Sequence, residues 1–251
     1  MNERQQRMQT IISENGEATL AELERLFPEV SSMTLRRDLE KLEMQGEIVR
    51  TRSGAKSIAH LSRLHEDLYS ERARENTAEK KQIAQRARRF ITQGSSVFLD
   101  SGTTVTYLAN LLVGDRLFVI TSAPNIALSC VKNQYMTVFL TGGRLSGRNL
   151  SLSGLNALTF LDCVNIDTAF VGASGYTPDN AFTCGNYDES QMKKRVIEKA
   201  ARVVLLMDSS KAGKSLPFTF AHPRDIEFLV TDDKIGPAYL EELQKETEVI
   251  W

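Results

Sequence analysis

Apolar positions follow two different periods along the chain, and the change falls near residue 95. Over residues 4–14, Met8, Ile11 and Ile12 recur at helical spacing, and Asn15 with Gly16 supplies a helix end. Thr19 and Glu22 then match a capping box, each able to satisfy the other's orphan N–H group, with Leu20, Leu23, Leu26 and Phe27 as the packing face of a short second helix that Pro28 ends. Ser31 can cap a third helix running to about Gly46, with Leu35, Leu39 and Leu42 on one side. The stretch EIVRTRSGAKSIAHL reads as a strand, a turn at Ser53-Gly54 and a second strand. Residues 62–92 read as a charged helix, with eight Arg/Lys and five Asp/Glu up to Arg89, and with Ile83, Ala84, Ala87, Phe90 and Ile91 as its apolar stripe.

From residue 96 the period is lost and short continuous apolar runs take over: VFLD, LFVIT, TVFLT, TAFVG, VVLLMD and EFLVT. Helical patterns at 103–112, 188–201 and 236–246 fall between them. Continuous hydrophobicity marks strands buried on both faces, so this half is predicted to be α/β with a mainly parallel, Rossmann-like sheet. In such sheets ligands sit beyond the carboxyl ends of the strands, at a switch in strand order.

Composition adds bounds. A chain of 251 residues with 41% hydrophobic and 25% charged residues suits two soluble domains. No apolar run reaches the length of a membrane span or follows a signal-peptide plan, which leads to an expectation of a cytoplasmic protein without a membrane partner. Cys130, Cys163 and Cys184 are odd in number and far apart, so they are expected to be buried thiols, neither disulfides nor metal ligands. The net charge is −1, and residues 1–58 carry nine Arg/Lys against ten Asp/Glu, a balance that argues mildly against a nucleic-acid partner. Distribution matters more than the sum, and residues 31–58 hold a local excess of Arg36, Arg37, Lys41, Arg50, Arg52 and Lys56.

Projected at 100° per residue, the third helix turns Met33, Thr34, Arg37 and Lys41 away from its leucines, with Arg36 on the flank. An exposed helix start rich in Ser, Thr and Arg suits the major groove of DNA, and helix, helix, helix and hairpin together are the plan of a winged helix. In the second half, five predicted strand ends carry hydroxyls, glycines or charge: 100–104, 121–125, 141–144, 172–175 and 208–211. The turn at Ser101, Gly102, Thr103 and Thr104 opens a helix, whose unpaired N–H groups favour an anion, with Gly102 giving room for backbone approach. Lys211 is a natural cation for phosphate, while Asp100 suits sugar hydroxyls.

The segment VSSMTLRRDLEKLEMQGEIVRTRSGA closely resembles the winged helix of the DeoR family of bacterial transcriptional regulators. The second half resembles that family's sensor domain along its whole length, with DSGTT, a TGG turn, DTAFVGASG, DSSK and TCGNYDESQMKK in family order. The resemblance implies a fold similar to ribose-5-phosphate isomerase and a layout of a winged helix over 1–60, a helical connector over 61–92 and an effector domain over 93–251. It implies DNA contacts at Ser32, Thr34, Arg36 and Arg37, completed by Lys41, Arg50 and Arg52. It implies effector contacts at Asp100, Ser101, Gly102, Thr103, Thr104, Thr121, Ser122, Gly142, Gly143, Gly172, Asn186, Glu189 and Lys211, with Thr183 and Lys193 as further pocket or cap positions and Arg72, Asn76 and Lys80 as polar positions before the domain, at the effector site or at an interface. Asn180-Ala181 stands where the family often has Gly, and Asn180 is expected to carry the left-handed geometry. The wing reads RSGA where a His-Gly-Gly-Ala is usual, and Ser122 replaces a frequent Asn.

The function so implied is a transcriptional regulator, most often a repressor of a carbohydrate-utilisation operon. Its partners would be operator DNA and a phosphorylated sugar, without catalytic residues, cofactor or metal, as a homodimer or homotetramer. A rival class is a sugar-phosphate isomerase with a DNA-binding appendage, using Asp100 or Glu189 as base and Lys211 as electrophile. A third is a nucleoid or scaffold protein without a ligand.

Overall fold

A computed structural model describes residues 2–51, 53–57 and 67–251. The chain divides into two units, Met1–His65 and Glu66–Trp251. The first contains α1 (Glu3–Asn15), β1 (Glu17–Thr19), α2 (Leu20–Leu26), α3 (Ser32–Met44), β2 (Ile48–Arg50) and β3 (Gly54–Ser57). The predicted caps are present: Thr19 and Glu22 bond reciprocally, and the Ser31 hydroxyl accepts from the Thr34 N–H. Met8, Ile12, Leu23, Phe27, Leu35, Leu39, Leu42 and Ile48 form one core. Asp38, only 3% exposed, pins α1 to α3 by accepting from Arg4 Nε at 2.6 Å and Gln5 Nε2 at 2.7 Å.

Two features of this unit differ from expectation. Strand β1 was not anticipated, because it is three residues long and its last residue is also the N-cap of α2. It pairs antiparallel with β3, giving a sheet of order β1-β3-β2. Gly54 is a strand residue rather than the turn tip: a Cβ there would stand 2.1 Å from the Ala18 carbonyl oxygen, so only glycine lets β3 approach β1.

In the second unit α4 (Tyr69–Arg72) and α5 (Thr77–Ala87) replace the single helix expected over 62–92, of which residues 62–66 lie outside the described residues. The break is at Asn76, left-handed at φ 47°. Ile83, Ala84 and Ala87 of α5 are buried in this unit's own core. The sheet strands are β4 (Ser96–Leu99), β5 (Leu117–Thr121), β6 (Met136–Leu140), β9 (Ile166–Gly172), β12 (Ala200–Leu206), β14 (Phe228–Val230) and β15 (Glu248–Ile250). Between them run α6 (Thr103–Ala109), α7 (Pro124–Cys130), the hairpin β7 (Arg144–Ser146) and β8 (Ser151–Ser153), α8 (Leu155–Asp162), β10 (Gly175–Thr177), β11 (Ala181–Cys184), α9 (Tyr187–Lys199), β13 (Phe218–Ala221) and α10 (Pro237–Leu243).

The seven strands stand in the order β15-β14-β12-β9-β4-β5-β6, and every pair is parallel. Chain order reverses between β4 and β9, which makes this the switch point of an α/β fold. Helices on both faces cover two cores, one with Val97, Leu99, Val119 and Val204, the other with Phe98, Ile120, Ala169 and Leu205. Strand β15, Glu248–Ile250, was missed because it holds one buried residue, Val249, beside an exposed glutamate, and so makes no continuous apolar run. Among the described residues no helix is long and apolar enough to cross a membrane.

Cys130 and Cys184 are buried as expected, whereas Cys163 is exposed, since it caps the end of α8 instead of lying on its packed face. The left-handed residue of this pair is Ala181, the first of β11, at φ 54°, and not Asn180. A β-carbon in that region costs roughly 1–2 kcal/mol, partly offset by the greater freedom of unfolded glycine. Ala181→Gly should therefore stabilise the protein by about 0.5–1 kcal/mol, read as a higher urea midpoint at unchanged slope; a lower midpoint would contradict the strain.

Candidate functional site

Two surfaces gather the candidate residues, one in each unit. On the first, Ser32, Arg36, Arg37 and Lys41 are exposed along α3 and Thr34 is half-buried, its hydroxyl 3.0 Å from that of Ser31. No hydrogen bond or ion pair among the described residues engages the Arg36, Arg37 or Lys41 side chains, which leaves them available to a partner. Arg50 differs. Its Nε donates to Glu43 at 2.8 Å and its Nη1 to Glu40 at 2.9 Å, while its backbone N–H donates to Glu43 at 2.9 Å. These bonds, the backbone one first, hold the Glu43 carboxyl below its ordinary pKa. Arg50 thus fastens β2 to α3, a role its place in a basic cluster did not reveal. Arg52 lies outside the described residues.

On the second unit a pocket opens at the switch point. It is lined by Ser101, Gly102, Thr103 and Thr104 after β4, by Gly172, Ala173 and Ser174 after β9, by Leu206, Asp208 and Lys211 after β12, by Glu189 and Lys193 of α9 and by Arg72 of α4. Its free volume is about 20 Å³, room for about one water, so a larger ligand requires the walls to part. Gly102 has φ −66° and needs no left-handed freedom; a Cβ there would meet Gly172 Cα and Val105 Cγ2 at 3.6 Å, an ordinary contact. The tightness expected of that glycine is absent because the close approach is between two glycines facing across the switch point.

The floor is an ion cluster. Lys193 Nζ donates to Asp100 Oδ2 and to the Gly172 carbonyl at 2.9 Å, and Glu189 Oε1 stands 3.2 Å away. Asp100 Oδ2 also accepts the Gly172 N–H at 2.9 Å, and Asn149 Nδ2 donates to Glu189. Asp100, Lys193 and Glu189 are 3%, 3% and 6% exposed. Burial alone would push the Lys193 ammonium down, but Asp100 and then Glu189 outweigh it and hold the pKa above the ordinary lysine value. Asp100 does not line the pocket: beneath it, Oδ2 accepts from the Lys193 ammonium and the Gly172 N–H.

Of five expected strand ends the pocket collects three. The Thr121 hydroxyl donates to the Leu99 carbonyl at 2.6 Å and accepts from the Ala123 N–H at 3.0 Å, fastening β5 to β4. The Ser122 carbonyl accepts the Leu152 N–H at 2.7 Å. Gly143 packs on the Ser153 carbonyl of β8, and neither it nor Gly142 lines the pocket. These four lie after β5 and β6, on the far side of β4 from the switch. Asn186 caps α9, accepting the Glu189 N–H at 3.0 Å, and Thr183 Oγ1 accepts the Leu216 N–H at 3.0 Å, so both serve the frame. Arg72 and Lys193, two positions that the family resemblance supplied, both line the pocket.

Residues 75–233 match the DeoR C-terminal sensor domain and residues 4–60 the DeoR-like helix-turn-helix domain. The chain belongs to the DeoR family. This DeoR-family transcriptional regulator is 33% identical over 243 residues to the uncharacterized HTH-type transcriptional regulator YulB of Bacillus subtilis (strain 168), covering 96% of this chain and 93% of that one. It is 34% identical over 215 residues to the HTH-type transcriptional regulator GlpR of Haloferax volcanii, covering 85% and 83%. It is 32% identical over 219 residues to the HTH-type transcriptional repressor GlcR of Bacillus subtilis (strain 168), covering 86% and 83%. Among solved structures, ribose 5-phosphate isomerase A from Methanocaldococcus jannaschii aligns with a TM-score of 0.41 at 20% identity, over 56% of each chain.

Removing the ammonium from the floor of this sensor domain would leave two buried carboxylates uncompensated, a change that typically costs 3–5 kcal/mol. Lys193→Met should lower the unfolding free energy by about that amount in urea titration. A loss below about 1 kcal/mol would show that the carboxylates do not depend on the lysine.

Proposed function

We propose that this DeoR-family regulator is a repressor of a carbohydrate-utilisation operon that grips operator DNA through α3 and the β2–β3 wing and answers to a phosphorylated sugar held at the β4/β9 switch point. The observation that carries the effector reading is the pocket lining. Arg72 and Lys211 supply positive charge, Ser101, Thr103, Thr104 and Ser174 supply hydroxyls, and the start of α6 supplies unpaired backbone N–H groups. That set fits a phosphate with a polyhydroxylated body. Relatives described as transcriptional regulators and a transcriptional repressor support the DNA-binding half.

The ligand is bound and not turned over in this reading. An isomerase needs a carboxylate free to take a proton beside a carbonyl. Both candidate bases are engaged: Asp100 by Lys193 and the Gly172 N–H, Glu189 by Lys193 and Asn149. The narrow free volume supports a switch, because an effector that demands a wider pocket favours one conformation over another. Two copies are the natural stoichiometry on paired half-sites, since a single recognition helix reads only one.

Ser32, Thr34, Arg36, Arg37 and Lys41 are assigned to DNA in this proposal, with Arg50 setting the wing. Arg37→Ala should weaken operator binding by about 1–3 kcal/mol if it reads a base edge, or weaken all sequences alike if it holds phosphate, as fluorescence anisotropy at fixed salt distinguishes. Unchanged affinity for both operator and random DNA would remove α3 from the interface.

For the effector, calorimetry of the wild type against a panel of phosphorylated and unphosphorylated sugars should show binding only to the former. Lys211→Ala should weaken that binding at least tenfold, about 1.4 kcal/mol, while operator affinity is kept. A wild type that prefers an unphosphorylated sugar, or that converts the phosphorylated one, would overturn the reading.

A further inference from the structure

Besides α9, the pocket takes a lining residue, Arg72, from the corner between α4 and α5, and that corner is held from behind by a lysine. Lys80 is 1% exposed on the inner side of α5, and its Nζ donates to the Arg72 carbonyl and, at 2.7 Å, to the Glu75 carbonyl. It takes part in no ion pair among the described residues, although a buried ammonium is costly without a carboxylate. At the tip of the corner Asn76, left-handed at φ 47°, donates from Nδ2 to Asp208 Oδ1 at 3.1 Å and to Ser210 Oγ at 2.9 Å. The corner that Lys80 locks is therefore latched to the turn that carries Lys211. Arg72, 8% exposed, and Lys211 and Asp208 all line the pocket.

We propose that Lys80 is a positioning residue of the anion site: its ammonium fixes the Arg72–Asn76 corner and so sets Arg72 and, through Asn76, the Asp208–Lys211 turn around the phosphate. This rests on the sugar-phosphate reading of the pocket given above.

The charges around Lys80 make the role testable. Burial pushes its ammonium down to about 8; Asp208 opposes that, Lys211 and Arg72 add to it, and Glu75 opposes it weakly. Glu79, its neighbour on α5, is paired with Lys234 at 2.5 Å. A dianion in the pocket adds negative charge beside this group and favours its protonated form, so binding near pH 8 takes up a proton, and affinity falls as pH rises through that value. Folding stability moves the other way. Because the folded-state pKa lies below the unfolded value of about 10.4, the unfolded chain binds more protons between roughly pH 8 and 10.4, and stability rises with pH across that window. A residue that only supported the fold would not make affinity fall while stability rose.

The experiment is calorimetry of the full chain from pH 7.5 to 9.5, with the tightest-binding sugar phosphate of the panel and with inorganic sulfate as a second probe. The phosphate monoester has completed its second ionisation, near pH 6, so the charge of either probe stays constant. Wild-type affinity should fall about threefold or more with a midpoint near pH 8, and titrations in buffers of different ionisation enthalpy should reveal proton uptake. Lys80→Met should bind more weakly, without the pH step and without proton uptake. Asn76→Gly, which keeps the left-handed corner but removes the latch, should bind more weakly and retain the step. A flat wild-type profile, or an unchanged step in Lys80→Met, would overturn the role of Lys80 while leaving the anion site standing. Absence of any binding at pH 7.5 would instead sink the sugar-phosphate reading, and this inference with it.

Discussion

One lysine ammonium between two carboxylates holds the sensor domain's switch point together. Asp100 follows β4, Gly172 ends β9, and Lys193 comes from α9; the ammonium touches the first two while the Asp100 carboxylate also takes the Gly172 N–H. Without the cation, Asp100 and Glu189 would be like charges sharing a buried space, and one of them would have to protonate or the strand ends would have to part. With it, two strands that are remote in sequence are clamped at the place where parallel sheets of this order accept ligands. Buried ion clusters are weak evidence for net stability. What this one supplies is a fixed floor, from which the loops carrying Ser101–Thr104 and Gly172–Ser174 rise into the pocket.

Much of this was legible in the residues, for reasons that can be named. Caps at Thr19 and Ser31 act within three residues, so sequence spacing reveals them. Buried parallel strands announce themselves as unbroken apolar runs, and six of the seven were visible that way. What stayed hidden was set by tertiary neighbours. The sequence marks every strand end alike, whereas only those next to the switch reach the pocket, which is why Thr121, Ser122, Gly142 and Gly143 fall away from it. The ion pairs of Asp100 and Asp38 were not visible because their partners, Lys193 and Arg4, lie 93 and 34 residues distant. Lys80 did leave a trace: it stands at i−3, i−4 and i−7 from Ile83, Ala84 and Ala87, so it occupies the apolar stripe of its own helix.

The sheet is of an order that many enzymes use, yet its polar groups at the switch point are mostly bonded to one another. Asp100 is bonded to the Lys193 ammonium and the Gly172 N–H, and Glu189 to Lys193 and Asn149. In the proposed reading an effector meets a pocket that must widen to admit it. An effector that must first find the open form binds with an apparent affinity reduced by the fraction of molecules that are open, so sensitivity can be tuned by residues that never touch the ligand.

The clamp on Arg50 by Glu40 and Glu43 bears on how the DNA-binding unit would respond to ionic strength. A cation already neutralised inside the protein displaces few ions from a phosphate backbone. On α3 the unpaired cations are Arg36, Arg37 and Lys41. If each replaced one condensed counterion, the logarithm of affinity would fall against the logarithm of salt with a slope of only about −3 per copy. That slope is the share of α3 alone, and within it an arginine spent on a base edge adds to specificity without adding to the electrolyte dependence.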